Sequence, residues 1–314
     1  MNKKLFFSLL GLALFVGCKK DKMEEEVLKD YGNMGTHEVS TFTESDYVST
    51  TVYYPKDIAT LSEPSPLVFF ASGWSSESST QYEQLFQYMA SQGYTVIYTA
   101  EGQKTNAQFS IEHYNKILDA AFAKDNIFKY VDFTKIGAVG HSAGGGITFK
   151  ILDYYSKEKG YGSKGRFIFA TDPWFAFEMS ESAMKNLPSN TNVVILKYGV
   201  GGNNDLDGTD ARIPLTEYAL LESIPAKNKD YRIFVAGDHH YLYKEDIKDG
   251  LLAPLGALMD YTFYNQSELV RKAALEKGTD NPYDGGNGMQ VVLDTYQYPC
   301  DGANTLINYC SIVP

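Results

Sequence analysis

The residues with the clearest chemical pattern are Gly140, Ser142 and Gly144, which stand in the order Gly-His-Ser-Ala-Gly. An apolar run, Lys135 to Val139, precedes them, and a stretch with helical spacing follows. A Gly-x-Ser-x-Gly turn between a strand and a helix is typical of a nucleophile elbow, because small residues let the chain bend sharply and expose the serine. We therefore predict that Ser142 is a nucleophile for acyl transfer.

A serine nucleophile needs a base, and the sequence contains five histidines. His239 and His240 lie in a loop just after the predicted strand Arg232 to Val235, where a triad base is expected. His239 is our choice, and His240 is the alternative. The other three are predicted to have no catalytic role: His37, His113 and His141.

The third member of such a triad is a carboxylate that lies between the serine and the histidine in chain order. The loop after the predicted strand Val193 to Tyr198 carries Asp205, Asp207 and Asp210. We choose Asp205, with the other two in reserve, to orient the imidazole and stabilise its charged form. A polar surface loop or a Ca²⁺ site is the alternative, although the spacing of a calcium loop is not matched.

The oxyanion formed in acyl transfer needs hydrogen-bond donors, and the backbone N–H groups of Ala143 and Trp74 are the candidates. Trp74 and Trp174 are the only tryptophans, and each follows a predicted strand. We predict that they line an apolar cleft, with core packing as the alternative. The sequence contains no Cys-x-x-Cys or Cys/His cluster that would offer a zinc site, and the predicted acyl transfer needs neither a metal nor an organic cofactor.

Short β-branched runs alternate with amphipathic stretches, which predicts an α/β fold with a mostly parallel sheet and helices on both faces. The 314 residues are 44% hydrophobic, without an internal repeat or a Pro/Gly-rich linker, and this favours one domain over residues 36–314. The predicted strands are Thr51 to Tyr54, Leu67 to Ala71, Thr95 to Tyr98, Lys135 to Val139, Phe167 to Ala170, Val193 to Tyr198 and Arg232 to Val235; the predicted helices are Gln81 to Gln92, Ser110 to Lys124 and Ala143 to Tyr155.

The chain begins with the pattern of a secretory signal. Lys3 and Lys4 precede the apolar run Leu5 to Val16, which is too short to span a bilayer, and Gly17 stands before Cys18. This ending resembles a bacterial lipobox, so we predict a signal peptide over residues 1–17, lipid on Cys18 and a charged tether over residues 18–35. The protein is then an outer-membrane or cell-surface lipoprotein held only by its lipid; plain secretion is the alternative.

The net charge indicates which partners the protein can bind, and the remaining cysteines bear on whether it is exported. Lys and Arg number 28 against 39 Asp and Glu, a net charge of -11 that would repel nucleic acid. With Cys18 assigned to lipid, Cys300 and Cys310 remain, and export would let them form a disulfide that closes the C-terminal tail. Two unpaired thiols are the alternative. The negative charge fits a neutral substrate better than a polyanion, and we expect a monomer.

These motifs resemble the secreted bacterial cutinase-like polyester hydrolases, which include poly(ethylene terephthalate) hydrolases, in the dienelactone-hydrolase branch of the α/β-hydrolases. The resemblance extends from Thr51 to Tyr264, with Ala143 and Trp74 as departures from the commoner Met and the commoner Tyr or Phe. It rests on Thr51-Val52-Tyr53-Tyr54-Pro55, Ser72-Gly73-Trp74, Gly140 to Gly146, Asp172-Pro173-Trp174, Asn204-Asp205-Leu206 and Gly237-Asp238-His239.

The resemblance implies an α/β-hydrolase fold and hydrolysis of a carboxylic ester, in a small molecule or a polymer, through an acyl-enzyme. It implies no cofactor. The implied site consists of the triad Ser142, Asp205 and His239, the oxyanion residues Trp74 and Ala143, and the substrate contacts Trp74, Trp174 and Leu206. Two alternatives stay open: a lipid or acetyl esterase similar to platelet-activating-factor acetylhydrolases, and a ligand-binding lipoprotein on a degenerate hydrolase fold.

Overall fold

The structure is a computed structural model that describes residues 31–44, 50–74, 78–99, 107–123, 127–199, 212–234, 236–276, 289–290 and 306–309. Within these ranges the chain forms one nine-stranded sheet in the order β1-β2-β4-β3-β5-β6-β7-β8-β9. The strands are β1 (Val39–Glu44), β2 (Thr50–Pro55), β3 (Ser65–Ala71), β4 (Thr95–Thr99), β5 (Val131–His141), β6 (Gly165–Thr171), β7 (Thr191–Tyr198), β8 (Lys229–Phe234) and β9 (Met289–Gln290).

Helices connect most of these strands. In the described ranges they are α1 (Glu83–Ser91), α2 (Ala107–Ala123), α3 (Ala143–Lys157), α4 (Glu181–Lys185), α5 (Arg212–Leu220), α6 (Ala253–Phe263) and α7 (Glu268–Leu275), with a π-helical turn at Lys248–Leu252 before α6. Strands β3 to β8 pair in parallel, whereas β1, β2 and β9 join antiparallel at the two sides. The predicted α/β class with a mostly parallel sheet is therefore confirmed.

The sheet is covered on both faces, and β3 shows how the sequence achieves this. Successive side chains of a strand point to opposite faces, so a strand buried on both sides must be apolar throughout. Leu67 and Phe69 pack in one apolar cluster with side chains of α2 and α3. Val68 and Phe70 belong to a second cluster with side chains of α1 and α6. Parallel strands sandwiched in this way bring all their carboxyl ends to one edge, where Ser142 and His239 meet.

The segment before β1 packs against the fold, although the sequence assigns residues 31–35 to a tether. The Tyr31 hydroxyl donates a hydrogen bond to Asp260 on α6, and the Gly35 N–H donates to Ser91 Oγ on α1 at 2.8 Å. Two residues of the predicted tether, Tyr31 and Gly35, thus contact the α/β domain. The predicted signal peptide, Cys18, Cys300 and Cys310 lie outside the described residues. Across the described ranges, no helix combines the length and apolar character that crossing a bilayer requires.

Candidate active site

The site is built around a sharp turn between β5 and α3. Ser142 occupies this turn with φ 55° and ψ -124°, a backbone conformation that is unfavourable for a residue with a Cβ atom. The helix can start so close to the sheet because Gly144 and Gly146 lack side chains: a Cβ at Gly144 would collide with the carbonyl of Ala71, and one at Gly146 with that of Phe175. The sequence therefore holds the serine in a strained turn at the carboxyl end of β5, as an elbow requires.

The structure brings Ser142 and His239 together, as predicted. Ser142 Oγ lies 3.1 Å from His239 Nε2, within hydrogen-bonding distance. His239 follows β8, so the parallel sheet delivers it to the same edge as the elbow. The alternative base, His240, is placed elsewhere: its N–H donates to Asp238 Oδ1 and its ring stacks on Tyr243, with 5.6 Å between the ring centroids.

The carboxylate that contacts His239 in the described residues is Asp172, whereas the sequence predicts Asp205 for this role. Asp172 Oδ2 accepts a hydrogen bond from His239 Nδ1, and this fixes the tautomer in which Nε2 can accept the Ser142 proton. Asp172 directly follows β6 and is fully buried. Asp205, its reserves Asp207 and Asp210, and Leu206 lie outside the described residues. The sequence predicts the acid in the loop after β7, the next strand along the chain.

Lys197 and His239 both contact the Asp172 carboxylate and stabilise its charged form. Burial alone would raise the pKa of its carboxyl, but Lys197 and His239 outweigh burial and hold this pKa well below its usual range. Lys197 Nζ lies 2.7 Å from Asp172 Oδ1, and the Tyr198 N–H donates to the same oxygen at 3.4 Å. The carboxylate is therefore ready to stabilise a protonated imidazole.

His141, for which the sequence predicts no catalytic role, forms a hydrogen bond with the backbone of His239. Its Nε2 donates a hydrogen bond to the backbone carbonyl of His239 at 2.7 Å, so Nδ1 is the acceptor, 3.1 Å from the Tyr82 hydroxyl and 3.3 Å from that of Tyr243. The Tyr82 hydroxyl in turn accepts from the Gly73 N–H at 3.0 Å. This chain connects the loop that carries Trp74 to the loop that carries the base. Burial, more than the nearby His239, lowers the pKa of His141 to about 3, so this ring is neutral at physiological pH.

The buried neutral His141 predicts a specific pH dependence of stability. The pKa of His141 is 6.5 in the unfolded protein and about 3 in the folded protein. Below pH 6.5 the imidazole is therefore protonated in the unfolded state but not in the folded state, and the free energy of unfolding decreases as the pH falls. The wild type should lose about 2 kcal/mol more unfolding free energy than His141→Gln between pH 7 and pH 5. Urea unfolding at both pH values measures this difference. His240→Gln is the control and should follow the wild type; parallel losses in all three proteins would contradict the prediction.

Two tryptophans lie at the edge beside the elbow. The ring centroids of Trp74 and Trp174 are 5.3 Å apart, and Trp74 is 47% exposed. The Trp174 ring also contacts Phe175 and Phe177, so it joins the surface pair to the core. Ala143 is the first residue of α3, and an N–H at this position has no acceptor within its own helix. An apolar aromatic surface thus lies next to a donor that can bind an oxyanion.

No family model matches the sequence, and neither does any curated protein. The interpretation of the site therefore depends on its geometry. In the described part of the chain, no group of three or more His, Cys, Asp and Glu side chains is arranged to hold a metal ion.

Besides His141, four residues of this arrangement have roles that the sequence does not predict. In the sequence, Asp172 stands out only as part of the Asp-Pro-Trp motif, and Lys197 only as part of a predicted strand. Tyr82 and Tyr243 carried no signal, because a tyrosine in an aromatic-rich chain is usually a packing residue. The charge of Lys197 inside an otherwise apolar strand was the one available clue, since a lysine is seldom buried without a partner.

Proposed function

We propose that this protein is a serine carboxylic-ester hydrolase with an α/β-hydrolase fold. The observation that carries the proposal is the chain of contacts from Ser142 Oγ through His239 to Asp172. A nucleophile, a base and an orienting acid in this order are the elements of covalent acyl transfer. The strained backbone of Ser142 also supports catalysis over simple ligand binding, because strain of this kind persists mainly where function requires the geometry.

In the proposed mechanism, His239 Nε2 removes the Ser142 proton while Oγ attacks the ester carbonyl carbon. Asp172 stabilises the resulting imidazolium, and the N–H groups of Ala143 and Trp74 bind the oxyanion. The imidazolium then protonates the leaving alcohol, which departs and leaves an acyl-enzyme. Water, deprotonated by His239, attacks the acyl carbonyl and releases the acid and the serine.

The aromatic pair beside Ser142 supports an ester with an apolar or aromatic acyl group. Trp74 and Trp174 offer ring surface at the open edge of the sheet, where a chain end or a small ester could lie. The resemblance to polyester hydrolases makes a polymer one candidate, and lipid or acetyl esters are the other. Comparing turnover of short p-nitrophenyl esters, phospholipid vesicles and polyester film separates these classes. Export, lipid on Cys18 and the Cys300–Cys310 disulfide stay predictions.

A serine-directed fluorophosphonate probe tests the proposed function. The wild type should be labelled, and the label should map to Ser142 by peptide mass spectrometry, because only an activated serine reacts readily. Ser142→Ala should lose both the label and the hydrolysis of p-nitrophenyl butyrate. Ser182→Ala removes an exposed serine on α4 and serves as the matched control, which should be labelled like the wild type. An unlabelled wild type, or a label that persists in Ser142→Ala, would refute the hydrolase.

A further inference from the structure

A buried lysine lies behind the acid of the proposed triad. Lys197 is the penultimate residue of β7, and its side chain is only 1% exposed. An ammonium loses its hydration when it is buried, so such a lysine needs a strong partner. Its Nζ lies 2.7 Å from Asp172 Oδ1 and donates to the Tyr198 carbonyl at 2.9 Å. The charge of Lys197 is thus directed at the acid of the site.

The two oxygens of Asp172 have separate tasks in this arrangement. Oδ1 faces the Lys197 ammonium and the Tyr198 N–H, which leaves Oδ2 for His239 Nδ1. Because Lys197 fixes one oxygen, the carboxylate cannot rotate away from the imidazole without breaking a buried ion pair. Lys197 therefore contributes orientation as well as charge.

The ammonium also changes the electrostatic environment of the base. An isolated aspartate would favour the protonated form of His239, whereas an aspartate already paired with an ammonium does so less strongly. In the described ranges, further titratable groups near the pair are His141 from β5, Tyr198 from β7 and His240 from the loop of the base itself. Burial keeps the His141 ring neutral and Tyr198 a phenol, whereas Lys197 brings a positive charge to Asp172 Oδ1.

We propose that Lys197 is a positioning residue that orients Asp172 towards His239 and reduces the negative charge that the imidazole faces. The proposal rests on the proposed ester hydrolysis. The Lys197 ammonium is buried against Asp172 Oδ1 and the Tyr198 carbonyl, so it acts through Asp172. Loss of its charge should therefore move the acid limb of the kcat/KM profile to higher pH.

The test is the pH profile of kcat/KM for p-nitrophenyl butyrate with two variants. Lys197→Met removes the charge and the hydrogen bond, and its acid limb should shift upward by about one pH unit, with kcat lowered by roughly 10- to 100-fold. Lys197→Gln keeps an N–H donor for Asp172 but has no charge. It should show the same shift of the acid limb with a smaller loss of kcat, which separates charge from orientation.

Controls keep the result specific to this ion pair. Lys185→Met removes a surface ammonium paired with Glu222 and should leave the profile unchanged. Thermal unfolding and fluorophosphonate labelling show whether each variant is folded. If Lys197→Met does not fold, the pH profile of Lys197→Gln alone tests the proposal. An acid limb that stays at the wild-type pH in Lys197→Gln overturns the proposal. If the wild type is still labelled at Ser142, that failure concerns Lys197 alone and the hydrolase function stands.

Discussion

Replacing His239 with glutamine should lower kcat for ester hydrolysis by about 10⁶-fold, whereas His240→Gln should leave kcat within a few-fold of the wild type. The reason is the position of the two rings. His239 Nε2 lies 3.1 Å from Ser142 Oγ and can take its proton, but the His240 ring stacks on Tyr243 instead. Steady-state kinetics with p-nitrophenyl butyrate measure both rates.

The pair of histidine variants is well matched, because the same substitution is made at adjacent positions of one loop. Thermal unfolding of both proteins shows whether the loop is intact. Fluorophosphonate labelling should also slow in His239→Gln, since its Ser142 hydroxyl is no longer activated. A larger loss in His240→Gln than in His239→Gln would show that the neighbouring imidazole is the base.

The parts of the fold that could be predicted are those with a strong local pattern. The central strands are short apolar runs between turns, and all seven predicted strands lie within β2 to β8, apart from Val235 at the last boundary, which lies outside the described residues. The elbow was predictable for the same reason, because Ser142 and its glycines are consecutive in the chain. His239 followed from its place after a strand, and a parallel sheet carries such residues to one edge.

The elements that were missed lack such a pattern. Strand β1 has the sequence Val-Ser-Thr-Phe-Thr-Glu, which is mostly polar because it lies at the side of the sheet. Helix α6 is apolar nearly all round, since α7 covers it on one side and the sheet on another, so it shows no helical period. Helix α4 has only five residues, too few to display a period.

The sequence does not point to Asp172, because its contact with His239 is a tertiary one. Several aspartates lie between Ser142 and His239 in chain order, and each is compatible with a triad. Strand β6 is two positions from β8 in the sheet, and the residue that follows β6 reaches the imidazole past the end of β7. No local sequence pattern predicts that the residue after β6 comes close to the imidazole of His239. The buried Lys197 on β7 indicates an acid at that edge, because a buried ammonium needs a strong partner and Asp172 Oδ1 lies 2.7 Å from its Nζ.

Asp172→Asn should lower kcat by about 10⁴-fold, while Asp205→Asn should leave kcat within a few-fold of the wild type. An asparagine at position 172 keeps the shape of the carboxylate but not its charge, so it stabilises neither the correct tautomer nor the imidazolium. Kinetics with p-nitrophenyl butyrate test the two variants side by side. A small effect of Asp172→Asn together with a large effect of Asp205→Asn would show that Asp205, in the loop after β7, is the acid of the triad.

The stability of Asp172→Asn must be measured at the same time, because the substitution leaves the Lys197 ammonium buried without its carboxylate. Breaking one partner of a buried ion pair costs about 3–5 kcal/mol, which could unfold part of the protein and lower the rate for that reason alone. The double variant Asp172→Asn with Lys197→Met removes the uncompensated charge and should recover much of the lost unfolding free energy. Its kcat should stay about 10⁴-fold below the wild type, because neither substitution restores an anion at His239 Nδ1. Recovery of stability without recovery of rate would separate the catalytic part of Asp172 from its part in holding the buried lysine.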